Sequence, residues 1–236
     1  LLLRSPRSKT LPPLADGATR LVLIGTNPDG LDLQSLRERH GPRPHPYNLE
    51  AWDYECAQLR TQSPNELRRM LATDVGVSPL VALLARLGEH TLVLTSAIGG
   101  AFERLMPPIA AVFRVDGRTA EGVDTPLNSD TWSARRAALL SNILTTITAH
   151  KTSRLEILVL GTPWADPHMD DVVTLLLECL RTAQQQEVSL SFLTDSGTDP
   201  RRGWRPDWLP GTVLAVDPFN ALHDMIVEAL LRVGSE

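Results

Sequence analysis

Six short apolar runs punctuate this chain, and their internal pattern constrains the fold more than any other feature. They are LVLI (21–24), TLVLTS (91–96), AVFRV (111–115), LEILVL (155–160), VSLSFLT (188–194) and TVLAVD (212–217). Several are apolar at consecutive positions, which is how a strand buried on both faces reads. VSLSFLT alternates instead, as a half-buried or edge strand does. Strands of this kind separated by helical patterns predict an α/β class: a Rossmann-like three-layer domain with a mostly parallel sheet of about six strands.

The segments between the runs carry helix signals. Leu31, Leu33 and Leu36 start one pattern, and residues 47–71 carry another, broken near Ser63-Pro64. Ser63 suits an N-cap and Pro64 the first helical position, and Glu66 completes a capping box with Ser63. Ser78-Pro79 repeats the device before Leu80, Leu83, Leu84 and Leu87. A short helix is expected from Phe102 to Met106, ended by Pro107-Pro108. Longer ones are expected from about Ser133 to Ala149, with Ala137, Leu140, Leu144 and Ile147 on one side, from Val172 to Ala183, and from Leu222 to Val233. GPRPHP (41–46) excludes regular structure, because three prolines remove donors and fix φ. Residues 118–130 and DSGTDPRRGWRPDWLPG (195–211) read as polar loops. Residues 1–19 read as a tail or linker and 20–236 as one domain.

Composition narrows the function classes. The net charge of −5 and the lack of a basic stripe disfavour nucleic acid as the main ligand. No apolar run approaches the roughly 18 residues that a membrane helix needs. Cys56 and Cys179 sit in helical apolar patterns and read as buried free thiols, hence an intracellular, reducing and by expectation cytoplasmic setting. The chain opens on Leu1, so it is read as a piece of something longer. LLLRSPRSKTLPP suits the remains of a linker or of a targeting segment.

In an open parallel sheet, ligands bind outside the carboxyl ends of the strands. The segments there are GTNPDG (25–30), TSAIGG (95–100), VDG (115–117), GTPWADPH (161–168), TDSGTD (194–199) and VDPFN (216–220). Glycines beside strand ends mark sharp turns or close backbone approach. Polar groups able to hydrogen-bond a base or ribose are Thr26, Asn27, Thr95, Ser96 and Asp217, joined by Gly25, Gly161 and Thr162.

Over residues 20–233 the order of these segments resembles the sirtuin-like domains of the silent information regulator two superfamily. GTPWADPH looks like that family's Gly-aromatic-Ser-x-x-Asp-Pro turn; Thr95 and Glu103 of TSAIGGAFE match its Thr-Thr-Asn-aromatic-Asp stretch and the Glu beyond. VFRVDG (112–117) takes the place of a strand ending in Leu-His-Gly, GTNPDG the place of the Gly-Ala-Gly phosphate loop, and DTW (130–132) that of an Asp-aromatic pair. The resemblance implies a Rossmann-type fold and an NAD site. It also implies that the family's catalytic Asn and His positions fall at Ala97 and Asp116. Alanine offers no hydrogen bond, and an aspartic acid near neutral pH is too strong an acid to serve as a base unless burial raises its pKa. Gly99 replaces the family's Asp; Asn27 and Pro28 replace small phosphate-loop residues, and Asp29 would repel phosphate. The expectation is a pseudoenzyme with vestigial positions Ala97 and Asp116, working as a structural or regulatory protein-interaction module. Such domains are often fused to other modules or packed in assemblies, antiviral ones included. No metal and no obligatory cofactor are expected, with NAD or a related nucleotide as the ligand if binding is retained.

Other readings compete at particular residues. The active alternative is NAD cleavage with Asp116 as base, against Asp116-Gly117 as a turn pair. Asp166, His168, Asp170 and Asp171 suit either a metal or a helix start. Glu103 reads as an acid catalyst or a surface group. Trp204 and Trp208, with Arg201, Arg202 and Arg205, read as interface anchors or as a loop folded onto its core. A phospholipase D-like phosphodiesterase is suggested by His223 and Gly234-Ser235, but Met225 stands where that chemistry needs a lysine.

Overall fold

The computed structural model describes residues 17–25, 84–96, 109–115, 129–161, 163–183, 187–194 and 211–215. All six apolar runs form strands: β1 (Thr19–Ile24), β2 (Thr91–Thr95), β3 (Ala111–Arg114), β4 (Arg154–Leu160), β5 (Glu187–Thr194) and β6 (Gly211–Ala215). They make one sheet in the order β3-β2-β1-β4-β5-β6. Every neighbouring pair is parallel. This is the doubly wound Rossmann-like order, in which the direction of strand addition reverses between β1 and β4. β5 lies inside the sheet, paired on both sides, so its alternation does not mark an edge.

Two helices lie over one face: α1 (Ser129–Ala149) and α2 (Pro167–Ala183). The pleat sends Leu21, Leu23, Leu92, Leu94, Leu155, Ile157, Val159 and Phe192 into one core with Ile143 and Ile147 of α1 and Val172 and Leu176 of α2. On α2 the buried residues Met169, Val172, Val173, Leu176 and Leu177 recur at helical spacing, each contributing about 1.5–3 kcal/mol of apolar burial.

On the opposite face Val22, Ile24, Val93, Leu158, Leu160 and Leu193 are buried as well, so both sides of the central strands are dry. That face also carries a cross-strand ion pair. Arg20 and Glu156 are register partners, with Nε and Oε2 3.3 Å apart and both side chains largely buried.

Three local expectations change. Both helices begin earlier than the apolar pattern suggests, at Ser129 and Pro167, so DTW (130–132) lies inside the first turns of α1 and not ahead of it. The polar loop predicted to run to residue 130 therefore ends before Ser129. The buried stripe of α1 is Leu139, Ile143 and Ile147, with Leu140 and Leu144 half-buried and Ala137 exposed. Cys179 is exposed, not buried, because it falls off the stripe of α2. Cys56, the helices expected within 31–71, 102–106 and 222–233, and the loop around Trp204 and Trp208 lie outside the described residues, as does most of the helix expected at 78–87. Of the last, Leu84 is buried and Ala85–Leu87 forms a 3-10 turn.

Candidate functional site at the carboxyl rim of the sheet

Parallel pairing brings the strand tips to one rim, as expected from the sequence. Bonds beyond the strands hold them in line: Ser96 N donates to Ile24 O (3.3 Å), Val115 N to Thr95 O (3.0 Å) and Gly161 N to Leu193 O (3.1 Å). Gly25 and Gly161 end the two strands that flank the reversal point, and both are buried. That point is where this architecture opens a crevice for a ligand. Thr95 and Ser96, at the tip of β2 beside Gly25, are also buried.

Gly161 has a clear reason to be glycine. Its φ of 70° is left-handed, whereas a Cβ placed there meets nothing within 4 Å. The backbone conformation, not a close neighbour, selects the residue. Of the other candidate ligand-binding positions, Thr26, Asn27, Thr162 and Asp217 lie outside the described residues, as do Ala97, Asp116, Glu103 and His223.

The turn after β4 is built for structure. Gly161 is followed by a 3-10 turn, Pro163–Ala165, and then by α2. Trp164 turns inward, edge-on to Phe192 with ring centroids 6.0 Å apart, and fills the core under the turn. Asp166 is fully buried, and its Oδ1 accepts from the backbone N–H of His168 (2.9 Å) and Met169 (3.4 Å). This is an N-cap, satisfying donors that the first helical turn leaves open. Pro167 follows at the first helical position, where its missing N–H costs nothing, and Asp170 adds negative charge to the first turn.

A second cluster braces α2 against α1. Asp171 Oδ2 accepts from Trp132 Nε1 (2.9 Å), and both its oxygens accept from one Arg136 nitrogen (2.9 and 2.6 Å). The His168 ring meets Trp132 edge-on at 4.6 Å. Trp132 and Arg136 are one helical turn apart, so they reach the same carboxylate. Of the cluster Asp166, His168, Asp170 and Asp171, read from sequence as a helix start or a metal site, Asp166 caps α2 and Asp171 braces it against α1. Among the described residues, no group of three or more His, Cys, Asp or Glu side chains is placed to hold a metal. The roles of Trp132 and Arg136 are not legible in sequence, since each lies more than 30 residues from its partner.

Among the described residues no helix is long and apolar enough to cross a membrane. No family model, curated protein or solved structure matches this chain.

Proposed function

We propose that this chain is a sirtuin-like Rossmann-type module, catalytically silent towards NAD, that works as a structural or regulatory subunit through protein contacts. On this reading the carboxyl rim of the sheet keeps the strand framework of a nucleotide site, and the resemblance implies the loss of the groups that would cut the ligand. The observation that carries this reading is how the polar side chains after β4 are used. Asp166 is buried under α2 as its cap, and Asp171 is held by Arg136 and Trp132. Neither carboxylate is disposed for acid–base or metal chemistry in the crevice. The resemblance adds that Ala97 and Asp116 stand where the family uses Asn and His. On this reading its setting is intracellular and its partners are proteins or fused domains.

The nucleotide part of the reading rests on Gly25 and Gly161 flanking the reversal point, with Thr95 and Ser96 alongside. Thermal unfolding with NAD, ADP-ribose and cyclic nucleotides tests it. A bound ligand at 100 times its Kd stabilises the fold by about 2.7 kcal/mol. A shift with intact ligand supports a nucleotide-binding module, and no shift with any of them leaves the scaffold alone. Conversion of NAD during the scan overturns the silent reading.

A further inference from the structure

The opposite rim of the sheet carries a pair of histidines that the crevice does not use. His90 sits in the turn before β2 and His150 directly after α1. Their Nδ1 atoms are 3.4 Å apart, and the rings are nearly perpendicular, with an interplanar angle of 77°. We propose that His90 and His150 form a two-histidine seat for a divalent cation of the zinc class, with water completing a tetrahedral shell.

Three observations converge on it. The first is the spacing. Two imidazole nitrogens on a tetrahedral zinc, each at about 2.0–2.1 Å, are about 3.4 Å apart, whereas right-angled coordination brings them to about 2.9 Å. The ion would take the place of the proton that the two rings share in this long, exposed hydrogen bond. The second is rigidity. His90 O accepts from Arg20 N at 2.9 Å, which ties its turn to β1. His150 N donates to Thr146 O at 3.3 Å, and the next residue, Lys151, closes the helix with a left-handed φ of 51°. The third is charge. The pair lies at the carboxyl end of a 21-residue helix, whose partial negative charge favours a cation. Glu89 is near enough for its charge to act on His150.

The test is zinc binding to the whole metal-free chain near neutral pH, read by competition with a chromophoric chelator and by the visible spectrum of added Co(II). His90→Gln and His150→Gln are compared with the parent, and far-UV circular dichroism and metal-free melting verify that each variant is folded. The expected result is one zinc per chain, lost with either substitution, and a strong tetrahedral-type Co(II) band that disappears with it. Absent binding, binding that survives both substitutions, or a weak octahedral-type spectrum would overturn the proposal.

Discussion

Replacing Asp166 by alanine tests whether the turn after β4 is structural. The carboxylate is fully buried and caps α2 through one good bond, to His168 N at 2.9 Å, and one long one, to Met169 N at 3.4 Å. Losing a cap costs about 0.5–2 kcal/mol in general. The upper half of that range applies here, because the site is dry and water is poorly placed to take over the orphaned donors. Asp166→Ala should therefore cost about 1–2 kcal/mol, or about 2–8 °C in Tm for a chain of this size. Asp166→Asn keeps an acceptor and loses only the charge–dipole part, about 0.3–1 kcal/mol. The assay is urea unfolding followed by circular dichroism, with the slope unchanged across the series. An alanine variant within about 0.3 kcal/mol of the parent would refute the cap, given the lower bound for such losses. An asparagine variant as damaged as alanine would show that the charge matters for something other than capping.

Three further outcomes follow from the same coordinates. Truncating Glu156 to alanine breaks a largely buried ion pair and should cost about 3–5 kcal/mol, while replacing both partners by leucine should recover most of that, as read by denaturant midpoints. A double-mutant cycle on Arg136 and Asp171, which are about one-third exposed, should give a coupling of only about 0.5–1 kcal/mol that shrinks in high salt. His150 titrates below its ordinary 6.5, chiefly because of burial and then because of His90, with Glu89 opposing. Protonation therefore favours the unfolded chain: this contribution is complete above that value and is lost as pH falls through the lower, folded pKa. In metal-free buffer, stability should decline on acidification through that window, and His150→Gln should flatten the slope.

What could be read from the sequence followed periodicity. The strands were legible because runs such as LEILVL are apolar on both sides of the pleat, which only a sheet covered on both faces accommodates. Their order was not, because β1 pairs with β4 across more than 130 residues and no local signal encodes such a contact. The rotation of α1 is not fixed by spacing, for a related reason. Ala137, Leu140, Leu144 and Ile147 keep helical spacing, but so do Leu139, Ile143 and Ile147, and packing on the sheet chooses the second set. Asp166 was legible as a cap because Asp-Pro at a helix start has a local mechanism. The brace of Trp132 and Arg136 on Asp171, and the meeting of His90 with His150, depend on tertiary placement and left no trace in spacing.

Nicotinamide release from NAD, measured on the whole chain beside Asp116→Ala, tests the central claim most directly. The proposed module, whose carboxylates after β4 cap and brace helices and in which the resemblance implies Ala97 where the catalytic Asn would stand, should release nicotinamide no faster than buffer, with or without the substitution. Release well above buffer that is abolished by Asp116→Ala would contradict the account and make this chain an NAD-cleaving enzyme.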